Sequence, residues 1–248
     1  IVDNGSQDGT RELLERLRAP EMTVIGNAEN LGFAKACNQG AQAAGGEFIL
    51  FLNNDTLPHP GWLERLVAMA RQDAAIGVVG SKLLYPDDRV QHAGVVVGLR
   101  DGEPYPYHVH LCEPSDSPLV NVPREYQMVT GACLMIRSGL FRQVGGFDEA
   151  YVNGHEDLDL CLKARAAGAK VMYCPSSVVT HLESRTKRLI GLEQFHYEKG
   201  VDNEEGRGRR RFLARWREKL QIDGGVLDGA GDRAPVPPAV HGLDILFT

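Results

Sequence analysis

Phe48-Ile49-Leu50-Phe51-Leu52 is the run that most limits what this chain can fold into. Five consecutive apolar residues make a strand rather than a helix. With no polar face, such a strand needs cover on both sides, as in the parallel sheets of α/β proteins. Its flanks agree. Ahead of it, Phe33 to Ala44 is Ala-rich and helical and closes on Gly45-Gly46. Behind it, Pro60 suits the first position of a helix whose apolar face is Trp62, Leu63, Leu66, Val67 and Ala70. The alternation extends both ways. Ile1-Val2 ends a strand, Asp8 to Arg18 spaces Leu13, Leu14 and Leu17 as a helix, and Met22 to Ile25 and Ile76 to Val79 are β-rich. Strands separated by helices of this length build βαβ units. The expected class is therefore α/β, a single domain with a mostly parallel open sheet flanked by helices. Ligands in such sheets sit outside the carboxyl ends of the strands.

The middle of the chain changes character. Residues 85–126 are rich in proline and polar residues and read as a hairpin, Gly94 to Leu99, and a long surface loop. Met128 to Ile136 resumes regular structure, residues 156–167 form a helix, and Lys170 to Cys174 is a strand that stops at Pro175. Residues 182–220 carry 11 Lys+Arg against 7 Asp+Glu, and Arg209 to Leu220 reads as a basic amphipathic helix with Phe212, Leu213, Trp216 and Leu220 on one side. Residues 223–242 read as a Gly/Pro/Ala-rich linker, and Leu243 to Phe247 resembles the opening strand of a further α/β domain. The division expected is thus a domain over 1–200, a basic helix and linker over 201–241, and the start of another domain at 242–248. Ile1-Val2-Asp3 is a strand end with no upstream partner and no initiator Met, which reads as a fragment of a longer protein.

Composition removes some functions. Net charge is −6, from 27 basic against 33 acidic residues, so no nucleic-acid partner is expected. Apolar runs are strand-sized, short of the ~20 residues that cross a bilayer. Five scattered cysteines without a CxxC pair read as reduced thiols of a cytoplasmic protein, neither a disulfide frame nor a zinc site.

Several short motifs carry chemistry. Asn53-Asn54-Asp55 directly follows the buried strand, where a carboxylate points into the ligand crevice. Mg²⁺ or Mn²⁺ needs few protein oxygens when a diphosphate completes its shell, but the same residues also read as an Asn/Asp turn. Gly154-His155-Glu156-Asp157-Leu158-Asp159 places three acids at a helix start, suited to capping or to a general base. His181 is a second candidate metal ligand or a hydrogen-bonded structural histidine. Asp3-Asn4-Gly5-Ser6-Gln7-Asp8 follows the first strand, where a nucleoside would sit. Thr130-Gly131-Ala132-Cys133 offers small residues for close backbone approach.

Taken in order, IVDNGSQDGT, NLGFAKACNQG, FILFLNNDT, VTGACLMIR, GGFDEAY, GHEDLDLCLKARAAG and VVTH resemble the family 2 glycosyltransferases, closest to bacterial rhamnosyltransferase-like members that build surface polysaccharides. The likeness runs from residue 1 to about 181. It implies a GT-A-like nucleotide-binding fold, here without the family's first strand. It also implies a UDP-, dTDP- or GDP-sugar donor, a glycan or lipid-linked acceptor, Mg²⁺ or Mn²⁺, and inversion at the anomeric carbon. Carried over, Asp3 contacts the donor base with Asp8 supporting its loop. Asn4, Asn30, Gly32, Asn53, Asn54 and Gly131 also line the donor site. Asp55 and His181 hold the metal. Asp157 is the base, with Glu156 as the neighbouring candidate. Asn53 stands where the family usually has an aspartate, which removes a charge from the metal site. The rivals are a non-catalytic glycan-binding scaffold and a nucleotidyltransferase, although no Lys/Arg-bearing glycine-rich phosphate loop follows Asp3. Residues 207–219 read as a solvated helix face or as a contact with the inner face of an anionic membrane.

Overall fold

The computed structural model describes residues 1–151, 154–182 and 204–227. The expected strand at Leu243 to Phe247 lies outside them. In chain order the elements are β1 (Val2–Asp3), α1 (Thr10–Arg16), β2 (Ile25–Gly26), α2 (Phe33–Ala43), β3 (Phe48–Leu52), β4 (Thr56–Pro58), α3 (Trp62–Ala70) and β5 (Ile76–Leu84). Then come β6 (Val90–His92), β7 (Val95–Arg100), β8 (Glu103–His108), β9 (Arg124–Glu125), β10 (Cys133–Arg137) and α4 (Ser138–Gln143). The last are α5 (Glu156–Ala166), β11 (Lys170–His181), α6 (Glu204–Trp216) and β12 (Val226–Leu227). No helix among the described residues is long and apolar enough to cross a membrane.

The principal sheet has the order β3-β10-β5-β11-β4, with β6 added on β5 and β9 on β11. β3, β5 and β11 run in one direction, and β5 and β11 form a long parallel ladder. β10 is reversed between β3 and β5, so the Phe48–Leu52 run has an antiparallel partner where a parallel one was expected. The expectation of cover on both faces holds. Along β10, Leu134 and Ile136 face one core and Cys133 and Met135 the other, the period of two that a pleated strand imposes. β3 follows suit, with Ile49 and Phe51 in the first core and Phe48 and Leu50 against the second. Helix α3 closes the second core through Leu66 and Met69, while α4, α5 and α6 contribute Phe141, Leu160 and Phe212 to the first. Each such buried side chain contributes about 1.5–3 kcal/mol. Truncating Leu134 to alanine would cost about 2–5 kcal/mol, because the packed sheet collapses poorly around the void. β1 and β2 form a separate two-stranded parallel sheet.

Three expectations change. Pro175 does not end β11; the strand crosses a register shift between Cys174 and Val178 and runs on to His181. A bulge absorbs the proline's missing donor and re-aims the strand end. Residues 85–126 are not mainly surface loop, since Val90 to Val97 are buried and β7–β8 is a paired hairpin. Its prolines fit because β8 is an edge strand; Pro104 and Pro106 lie opposite Leu99 and Val97, whose N–H groups point to the other side. There Val97 donates to Asp223 Oδ1 (2.7 Å) and Leu99 to the Gly225 carbonyl (3.3 Å). Residues 223–227, read as the start of a linker, thus dock on β7, with Val226–Leu227 added to it as a strand. Helix α6 is amphipathic as expected, and its apolar side is not left to solvent: Phe212 and Trp216 are buried in the first core.

Candidate active site

Sheet geometry gathers five of the expected site residues at one edge. β3 ends at Leu52, and its antiparallel partner β10 begins at Cys133, directly opposite. The residues just outside the ladder, Asn53 and Ala132, continue it through a bond from the Asn53 N–H to the Ala132 carbonyl (3.0 Å). β11 delivers His181 to the same edge by pairing with β4, where His181 lies opposite Thr56. Asp55 is fixed there by its own carbonyl, which accepts the Leu182 N–H (2.8 Å). The Thr56 hydroxyl ties down the turn by donating to the Asn53 carbonyl (2.6 Å).

Within this frame His181 Nε2 lies 3.1 Å from Asp55 Oδ1 and 3.5 Å from Asn53 Nδ2. Two ligands at right angles on a cation with bonds of about 2.1 Å stand about 3.0 Å apart, so the pair fits a shared Mg²⁺ or Mn²⁺. Among the described residues there is no group of three or more His, Cys, Asp or Glu that could hold a metal ion. One carboxylate and one imidazole leave most of an octahedral shell to substrate oxygens and water, the usual arrangement for a cation that works on phosphates.

Asp157 opens α5 and faces the same edge. Gly131 N–H donates to its Oδ2 (2.7 Å), with Thr130 Oγ1 at 3.4 Å, and Oδ1 accepts the Leu158 N–H (2.8 Å). A Cβ on Gly131 would stand 3.0 Å from the Asp157 Cβ, so a glycine there allows the carboxylate to approach. Sequence placed small residues at 130–133; the structure shows what comes close to them. Glu156 points elsewhere. It is 8% exposed, its Oε2 lacks a hydrogen-bond partner, and burial together with the neighbouring Asp157 charge pushes its carboxyl up to about 8. Its charge also bears on Cys37 of α2, whose thiol burial pushes up to about 12.

The remaining expected residues cluster on the β1–β2 sheet. Asp3 is buried, and hydrogen bonds from Ser6 and the nearby Arg11 guanidinium (3.5 Å) hold its carboxyl below the ordinary value. Asn4 stitches two loops together: its amide donates to Asn30 Oδ1 (2.9 Å) and the Gly32 carbonyl (3.3 Å) and accepts from Asn27 (2.9 Å) and the Leu31 N–H (3.0 Å). Asp8 caps its own turn by accepting from the Thr10 N–H and hydroxyl. Asn54 is exposed. Helix α2 connects this cluster to the rest, with Gly40 against Val2 on one face and Asn38 bonded to Phe147 on another.

Two participants were missed in the sequence. Gln91 touches His181, and its signal was a lone amide in the apolar run Val90 to Val97. Asn27 joins Asn4 to Gln39, and nothing local marks it.

Comparison with known proteins places these residues in context. The Glycosyl transferase family 2 model matches residues 1–109. The O-antigen biosynthesis protein RfbC of Myxococcus xanthus is 33% identical over 200 residues, covering 79% of this chain and 16% of that protein. The N-acetylglucosaminyl-diphospho-decaprenol L-rhamnosyltransferase of Mycobacterium tuberculosis is 29% identical over 207 residues, 73% of this chain and 65% of its own length. The chain therefore spans less than two thirds of either relative. Among solved structures, GalNAc-T7 with UDP, GalNAc and Mn²⁺ superposes with a TM-score of 0.66 at 17% identity, over 88% of this chain and 41% of that one. That likeness fixes the fold as GT-A.

Proposed function

Residues 1–109 belong to the family 2 glycosyltransferases, and on that premise we propose that the chain transfers a sugar, with inversion, from a nucleotide-sugar donor to a hydroxyl of a glycan or lipid-linked acceptor in polysaccharide synthesis. The observation that carries the reading is the placement of Asp157. Its carboxylate is held by the backbone N–H of Gly131, two residues from the start of β10, while the facing strand β3 leaves the same end of that ladder into Asn53 and the Asp55–His181 pair. A base and a cation pair thus flank one crevice.

Asp157 takes the proton from the acceptor hydroxyl as that oxygen attacks the anomeric carbon from the face opposite the nucleotide. One bond forms as the bond to the diphosphate breaks, so the configuration inverts. Asp157 suits this work better than Glu156, which burial keeps protonated near neutral pH and whose Oε2 lacks a hydrogen-bond partner. The Gly131 N–H fixes Oδ2, and the Leu158 N–H fixes Oδ1. Asp55 and His181 would hold Mg²⁺ or Mn²⁺, which when bound offsets the charge growing on the departing diphosphate. The amide of Asn53 adds a donor to that site without adding charge. Asp3, Asn4, Asn30 and Gly32 form the loops offered to the nucleoside, and Asp8 braces the first of them.

The deciding experiment is a comparison of Asp157→Asn with Glu156→Gln. A positioned base contributes about 10²–10⁴-fold, so Asp157→Asn should lose turnover on that scale yet bind UDP, dTDP or GDP with Mn²⁺ as the wild type does. Turnover that survives in Asp157→Asn and is lost in Glu156→Gln would reassign the base. Metal-dependent nucleotide binding with no hydrolysis or transfer across a nucleotide-sugar panel would favour the scaffold instead.

A further inference from the structure

Resting on the reading of Asp55 and His181 as the cation pair, we propose that Gln91 is a positioning residue, one that locks His181 in the tautomer whose Nε2 lone pair is free for the metal. Gln91 sits in the short strand β6 and is only 4% exposed, between the fully buried Val90 and His92. An amide in such a place costs free energy unless it is bonded. Its Oε1 lies 2.7 Å from His181 Nδ1. An amide oxygen only accepts, so Nδ1 carries the hydrogen, and a neutral imidazole then has its lone pair on Nε2.

That lone pair faces Asp55 Oδ1 at 3.1 Å. Acceptor against acceptor is unfavourable in a partly buried site, and the nearest donor, Asn53 Nδ2, is at 3.5 Å. The arrangement becomes favourable when positive charge lies between the two atoms. The other tautomer would place its hydrogen on Nε2, donate it to Asp55 and close the pair, leaving neither atom ready to coordinate. Gln91 thus selects the open form. Its main chain is held on two sides: β6 pairs with β5, and the Gln91 carbonyl accepts a hydrogen bond from His108 Nδ1 (3.0 Å). Partners of this kind fix the orientation of metal-bound histidines generally, and their loss costs about 10–100-fold in metal affinity.

The test reads tautomer and affinity separately. Long-range ¹⁵N–¹H spectra of the metal-free chain, recorded where the rings are neutral and assigned with His181→Ala, should show His181 protonated on Nδ1. Gln91→Leu, close in volume and lacking the acceptor, should move the ring toward the Nε2–H form and weaken Mn²⁺ binding by about 10–100-fold, read from the paramagnetic resonance of free Mn²⁺ with UDP present. Gln91→Glu keeps an acceptor and should keep both the tautomer and, within a few-fold, the affinity. That variant guards against a Gln91→Leu protein that simply fails to fold. A wild-type His181 protonated on Nε2, or a folded Gln91→Leu that binds Mn²⁺ like the wild type while Asp55→Asn and His181→Ala do not, would overturn the role of Gln91 alone. If Asp55→Asn and His181→Ala also bind like the wild type, the cation pair itself is misassigned and the inference falls with it.

Discussion

Trp216 donates its indole N–H to Asp159 Oδ1 across 2.7 Å, joining the helix α6 to the helix that carries Asp157. Asp159 is fully buried and also meets Arg215 at 3.2 Å and Lys163 at 3.5 Å. A carboxylate so placed needs each of these partners. Alongside, the Phe212 ring lies 5.5 Å from the ring of His155, the left-handed residue that launches α5. Trp216→Phe keeps the aromatic surface and removes one donor from a buried charge. It should cost about 1–3 kcal/mol, visible as a lower urea midpoint at unchanged slope. An unchanged midpoint would mean that Arg215 and Lys163 suffice.

Gly131→Ala is a narrower probe of the Asp157 cradle. Gly131 is not among the positive-φ glycines, so its backbone accepts a side chain without strain. The added methyl would press on the Asp157 Cβ at 3.0 Å and on Oδ2 at 3.4 Å. Displacement of a reacting group by a fraction of an ångström to 1 Å costs up to about 10²-fold in rate. Transfer should therefore fall toward that limit while nucleotide binding and thermal midpoint stay near wild type. Equal losses in binding and turnover would show that the methyl disturbs more than the base.

These side chains also show where sequence reading stops. Phe48 to Leu52 declares a two-sided strand by itself, but nothing in those five residues says that its neighbour, Cys133 to Arg137, runs the other way. Pairing direction is a property of two distant segments. Pro104 and Pro106 suggest loop only until the edge they occupy is known, because a proline is costly on one side of a strand and harmless on the other. The amphipathic pattern of α6 announces an apolar side without saying what covers it. Asp55, Asp157 and His181 stand out because carboxylates and imidazoles beside turns are chemically conspicuous. Gln91 does not, since its role exists only after β6 and β11 are brought together.

The strap over β7 offers a local test. Asp223 accepts from the Val97 N–H through Oδ1 and from Gln127 Nε2 through Oδ2, both at 2.7 Å. Gln127 in turn brackets the backbone of Gln221. Asp223→Ala removes the acceptor that fixes residues 221–225 to the hairpin. Amide exchange at Val97 and Leu99 should accelerate markedly, while the amides shared by β5 and β11 keep their protection, because the strap can open without the sheet. Uniform acceleration would instead make the strap part of the global unfolding unit.

Glu156 predicts how stability should vary with pH. Its carboxyl is raised from the ordinary 4.5 to about 8 in the folded chain, first by burial and then by Asp157. Between those values the folded state holds a proton that the unfolded state has released, so stability falls as pH rises from about 4.5 to about 8 and levels off above. Glu156→Gln keeps the shape and removes the titration. Its stability should decline less over that window, so that the variant gains on the wild type as pH increases and exceeds it near pH 8. Urea midpoints at pH 5, 6.5 and 8 measure this directly. Parallel curves for the two proteins would mean that Glu156 ionises in the folded state as easily as in water, and that its burial imposes no penalty on the charge.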